Sequence, residues 1–160
     1  MKIAQIAGGV LAVSMLGGLA APILARPAHG LAVTSAWSRP VPAGLQTGVV
    51  YMTIANPSPT PDKLIDASTP VAAKMDLHRS TMVRGRMSMD PVPGGLAIPA
   101  NGRVEIAPNG YHFMLIGLTQ GLTVGASFPV TLRFAHAGVV KVKVQVRAAP
   151  PEPMNMPGMR

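Results

Sequence analysis

The stretch VVKVKVQVR, residues 139–147, constrains the fold more than any other part of the chain. Its alternation sets Val140, Val142, Val144 and Val146 on one side of an extended backbone, and Lys141, Lys143, Gln145 and Arg147 on the other. That is the period of a strand with one buried and one wet face; a helix would scatter both sets around its circumference. A strand needs partners, and the remaining sequence supplies them as short Val- and Ile-bearing runs. The runs lie at 31–38, 48–55, 63–67, 73–80, 82–90, 103–107, 111–118 and 127–134, punctuated by 17 Gly and 17 Pro. The segment Asn56-Pro57-Ser58-Pro59-Thr60-Pro61 cannot continue a ladder because proline has no amide to donate. Pro91 to Gly95, Asn101-Gly102, Pro108 to Gly110 and Ala137-Gly138 read as further turns, and Gly85 as a bend or bulge inside the run 82–90. About eight or nine short strands without a long amphipathic helix predict an all-β Greek-key sandwich or barrel. Aromatics make up only 4% of the chain, so its core must be mostly Val, Leu, Ile, Ala and Met.

The ends of the chain read differently. Residues 1–25 have the form of a secretory signal: Lys2, an apolar Gly- and Ala-rich stretch, and a small-residue cleavage site after Ala25 or, alternatively, Ala28. Export to a periplasm is therefore expected, with no membrane span left after cleavage; the rival is an uncleaved anchor, since the apolar stretch is long enough to span a bilayer, and no later segment is. Residues 31–147 form one domain, and 148–160 a Pro- and Met-rich flexible tail with little to pack. The formal charge of +8 fits solubility or attraction to anionic envelope surfaces. Nucleic acid is not an expected partner, because the basic residues are dispersed and aromatic platforms are few. The chain has no cysteine, which excludes thiolate zinc sites, thiol nucleophiles and thiolate copper sites.

Catalysis finds little support. The acids are Asp62, Asp66, Asp76, Asp90, Glu105 and Glu152, none in an acid/base pair, and Ser80 near His78 lacks an orienting acid. Methionine carries the stronger signal: of eleven, nine remain once Met1 and Met15 depart with the signal. Met52, Met75 and Met87 fit an ordinary core role, and Met89 shares a face with Met87 that could be core. In Tyr111-His112-Phe113-Met114-Leu115, alternation turns Tyr111, Phe113 and Leu115 inward and leaves His112 and Met114 on the outer face. In the same way Met75 and Leu77 point inward and His78 outward. Thioether and neutral imidazole are uncharged and soft enough to favour Cu(I) over zinc, calcium or magnesium.

These residues resemble the signature of the periplasmic copper chaperone family called PCuAC: a His, ten residues, a Met, about twenty-one residues, then His-x-Met. His78, Met89, His112 and Met114 match it, with twenty-two residues between Met89 and His112. If the extra residue sits in the Pro93-Gly94-Gly95 turn it is harmless; inside a strand it would invert the register and turn Met89 away. Also matching are Ala36-Trp37-Ser38-Arg39-Pro40, Val50-Tyr51-Met52-Thr53-Ile54 and Gly110 to Leu118. The resemblance implies a cupredoxin-like β-sandwich that binds one Cu(I) through His78, Met89, His112 and Met114. It implies a carrier rather than an enzyme, delivering copper to the CuA centre in subunit II of cytochrome c oxidase, with another periplasmic copper carrier as a possible source. The alternative is a metal-independent periplasmic interaction or assembly module. Secondary candidates are Met154, Met156 and Met159 in the tail and His29 near the mature start, while His136 reads as a plain surface residue.

Overall fold

A computed structural model describes residues 30–150. The signal, His29 and the methionines of the tail lie outside the described residues. Ten strands run in chain order: β1 Ala32–Ser38, β2 Thr47–Asn56, β3 Asp62–Ser68, β4 Ala72–Val83, β5 Arg86–Pro91, β6 Leu96–Ile98, β7 Gly102–Ile106, β8 Tyr111–Leu118, β9 Ser127–Phe134 and β10 Gly138–Val146. Their order is β5-β4-β8-β7-β2-β1-β10-β9-β3-β6, with β8 also pairing β2. Val50, Ile54, Phe113 and Leu115 from the first half of that order share one buried cluster with Val130, Leu132, Val144 and Val146 from the second. The two halves therefore lie face to face as the layers of an all-β sandwich.

β10 follows its alternation: Val144 and Val146 are buried, Val140 and Val142 half-buried, and Lys141, Lys143 and Gln145 exposed. It sits between β1, which it pairs in parallel, and β9, which it pairs antiparallel. A strand with a neighbour on each side and an apolar face against the opposite layer is fixed in register, because a slip of one residue would bury its lysines.

Two features depart from the expected segmentation. The run 82–90 is not one bent strand: β4 continues to Val83, the chain reverses at Arg84 (φ 49°) and Gly85 (φ 76°), and β5 returns. Positive φ at both central residues is the twist a two-residue hairpin requires, and glycine at the second makes it accessible. The second departure is β6, three residues that pair with β3. A side chain at Gly95 would collide with the Leu64 carbonyl, so glycine there lets the chain draw close enough for β6 to pair.

Two polar side chains taken into the sandwich, Asn56 and Asp62, are satisfied locally. Asn56 ends β2 and binds both the Thr60 carbonyl and the Ser58 amide, holding the proline-rich loop. Asp62 opens β3 and accepts hydrogen bonds from the backbone N–H groups of Lys63, His136 and Ala137 at 2.7, 2.9 and 2.8 Å. His136 is otherwise exposed at the β9–β10 turn, with its Nδ1 3.6 Å from Asp62. Burial pushes the Asp62 carboxyl up, but these amide donors and the His136 ring outweigh it and hold it below its ordinary value of 3.8. A carboxylate whose folded pKa is depressed stabilises the fold above its unfolded pKa, and that stability is lost as pH falls through the folded value. Asp62→Ala should therefore cost about 2–3 kcal/mol at neutral pH. The gap between parent and variant in urea titrations should close progressively below about pH 4.

Candidate metal site

The three strands at one end of the sheet order, β5, β4 and β8, position the residues singled out by sequence. Across the β4–β8 ladder His78 stands directly opposite His112 and Asp76 opposite Met114. Directly opposed residues share a face, and alternate residues along a strand return to it. His78, His112 and Met114 are thus on one side of the sheet, while Leu77 and Phe113, opposed in the next rung, turn to the core. Across β4–β5 the register sets Met89 opposite Ser80 and Pro91 opposite His78, so Met89 lies on the same face, diagonal to His78. The extra residue before His112 does not invert Met89.

The face is less open than the alternation suggests. His112 is only 4% exposed, and His78 and Met114 are half-buried. Met114 forms one wall of a pocket of about 250 Å³ with Val41, Pro42, Leu45 and Val49, from β2 and the loop that precedes it. Alternation separates the two faces of β8 correctly, but the sequence of β8 alone does not reveal that a remote loop borders its outer face.

The rings of His78 and His112 meet edge to face with centroids 5.9 Å apart. His112 Nδ1 lies 3.3 Å from the Gly110 carbonyl oxygen. A carbonyl can only accept, so Nδ1 carries the hydrogen and Nε2 of the neutral ring is left with its lone pair free. His112 Nε2 and His78 Nδ1 are both buried without a hydrogen-bond partner among the described residues. A buried imidazole nitrogen without a partner costs free energy that a purely structural residue would avoid. A centroid separation of 5.9 Å is compatible with both rings holding one ion through metal–nitrogen bonds of about 2 Å.

The electrostatics are close to neutral. The nearest carboxylate on this face by register, Asp76, pairs with Lys74 at 2.6 Å. Among the described residues there is no cluster of three or more His, Cys, Asp or Glu that could hold a metal ion. Hard cations are accordingly poorly served, and what the face offers is two imidazoles and thioethers. The expected core role of Met87 fails. Met87 is 51% exposed and stands opposite Met82, itself 67% exposed, on the same face as Met89 at 53%. Met82 drew no notice in the sequence, because its relation to Met87 depends on the hairpin at Arg84-Gly85.

If these nitrogens are reserved for a ligand, removing one should not harm the empty protein. His112→Phe, unfolded thermally with a chelator present, should lose less than about 1 kcal/mol or gain stability. Phe113→Ala, one residue along but facing the core, should lose about 3–5 kcal/mol.

Comparison with known proteins identifies the family and the fold. Residues 31–146 match the family described as "Putative lipoprotein LpqE-like". The chain is 29% identical over 122 residues to "Putative lipoprotein Lxx21020" of Leifsonia xyli subsp. xyli, covering 76% of this chain and 72% of the relative. Among solved structures it resembles the copper-bound PCuAC domain from PmoF2, with TM-score 0.61, 24% identity and coverage of 74% of this chain and 93% of that one. It also resembles DR1885 from Deinococcus radiodurans. The apo form gives TM-score 0.58 and 31% identity over 93% of this chain and 97% of that one. The CuI form gives 0.55 and 34% over 71% and 76%. The chain thus has the cupredoxin-like fold of PCuAC domains and belongs to the LpqE-like family.

Proposed function

We propose that this protein is an exported Cu(I) carrier in which His78, Met89, His112 and Met114 hold the ion. The observation that carries this reading is the His78–His112 rung: two adjacent imidazoles, each with a buried unpartnered nitrogen, on the face that also bears Met114 and Met89. Two neutral nitrogens and two thioethers form a soft, uncharged set suited to a monovalent ion. The CuI form of DR1885, 34% identical to this chain, supports the copper-binding part of this reading. Because β5 ends the sheet, Met89 lies toward the open side while His112 lies deep. An ion held this way can leave by releasing its outermost thioether first, which suits a protein that hands its cargo on.

The recipient that fits is a respiratory oxidase copper centre, the CuA site of subunit II, reached in the periplasm. The lipoprotein naming of the relatives supports an exported chain. Among the described residues the carboxylate on this face, Asp76, pairs with Lys74 rather than with an imidazole, which favours binding over turnover.

Anaerobic titration with Cu(I) against a competing chelator tests the ligand set. His112→Ala combined with Met114→Ala should weaken binding at least about 100-fold, and Met89→Ala about tenfold. Transfer to a soluble CuA domain, followed by its visible absorption, tests delivery. A double variant that binds Cu(I) as tightly as the parent would leave the metal-independent assembly module as the better reading.

A further inference from the structure

Six methionines fall among the described residues. Met52 and Met75 are buried, Met114 is half-buried, and Met82, Met87 and Met89 are the exposed ones. All three of these stand on one face of the β4–β5 hairpin, Met82 and Met87 as direct register partners and Met89 two residues further along β5. The same face continues through Ser80 to His78 and His112. Exposed strand positions ordinarily carry Thr, Lys or Glu, and an apolar group of this kind at the end of a sheet invites aggregation unless it serves a purpose. Packing is not that purpose, because none of the three belongs to the core or lies against it.

Their common property is the thioether sulfur. Directly opposed side chains in an antiparallel pair start about 4.5–5.5 Å apart at Cβ, and residues two apart on a strand about 6.6 Å. Each methionine has three rotatable bonds, so three sulfurs can converge on one ion with bonds of about 2.3 Å. The site itself lacks imidazole and carboxylate; Arg84 lies in the turn beside it, and Arg86 and Asp90 of β5 alternate to the other face. Such a site selects for softness alone and disfavours divalent cations.

We infer that Met82, Met87 and Met89 form a second, outer Cu(I) site made only of thioethers, which shares Met89 with the inner set and passes the ion to or from it. This inference rests on the Cu(I)-carrier reading for the direction of transfer, but not for the existence of the outer site. Exchange proceeds by ligand substitution, with the ion remaining Cu(I). Met89 holds the ion in both positions; Met82 and Met87 are replaced by His78, His112 and Met114 as it moves inward. No electron or proton is transferred.

The test uses Cu(I) alone under anaerobic conditions, with the ε-methyl signals of the methionines observed by NMR. In the parent, a second and weaker equivalent, held by Met82 and Met87 while Met89 is engaged by the first, should shift the signals of those two methionines after the first has shifted Met114. Met82→Leu with Met87→Leu keeps an apolar surface of similar volume, so it removes sulfur without removing a docking face. It should weaken the second equivalent by about 10–100-fold, leave the inner affinity unchanged, and slow uptake of the first equivalent from a Cu(I)–chelator complex. In His112→Ala, Met114→Ala the outer site should still bind one weak equivalent. Met82 and Met87 signals that stay fixed through two equivalents overturn the outer site, as does a leucine variant with parental stoichiometry and uptake rate. Tight parental binding in the His112, Met114 variant would instead overturn the inner-site reading, and the Met82 and Met87 signals in that variant would still decide the outer one.

Discussion

The register between β4 and β8 is the constraint on which the rest depends. His78 meets His112 because Leu77 meets Phe113, and that pair is held by the core. Slipping β4 by one residue would turn Leu77 and Met75 outward and drive Lys74, Asp76 and His78 into the apolar interior. The burial that stabilises the inner face thus sets the imidazole pair on the outer face, although the imidazoles contribute nothing to that burial. Two unpartnered nitrogens persist because the neighbouring rungs over-determine their positions.

The donors are arranged by depth as well as by face. His112 is sealed, His78 and Met114 are partly covered, and Met89 stands largely in solvent. The one carboxylate opposite Met114 is neutralised by Lys74. Charge on this face is thereby kept low without excluding water from its outer end. That combination would suit a soft ion by donor chemistry rather than by a net negative field.

Much of this was legible in the sequence, and the limits have physical causes. The β10 and β8 alternations are strong because each strand faces an apolar layer on one side only, and both strands appear where the pattern puts them. The face shared by His112 and Met114 followed from period alone. The hairpin at Arg84-Gly85 did not, because a two-residue turn inside a polar run leaves no break in hydrophobicity; glycine was the only sign, and it reads equally as a bulge. Missing the turn also misassigned Met87, since a methionine looks the same in sequence whether buried or not. β6 was missed because three residues are too few to show a period, and Gly95 matters for a contact with β3 that is remote in sequence. The partial cover of Met114 was hidden because the segment beside it belongs to a loop some seventy residues earlier.

The exposure of the hairpin methionines has a further chemical consequence. A thioether oxidises to a sulfoxide, which presents a harder oxygen donor in place of soft sulfur. Met52 and Met75 are shielded by the sandwich, whereas Met82, Met87 and Met89 face the medium. Among the methionines of the described residues, the hairpin thioethers are therefore the first that peroxide would reach.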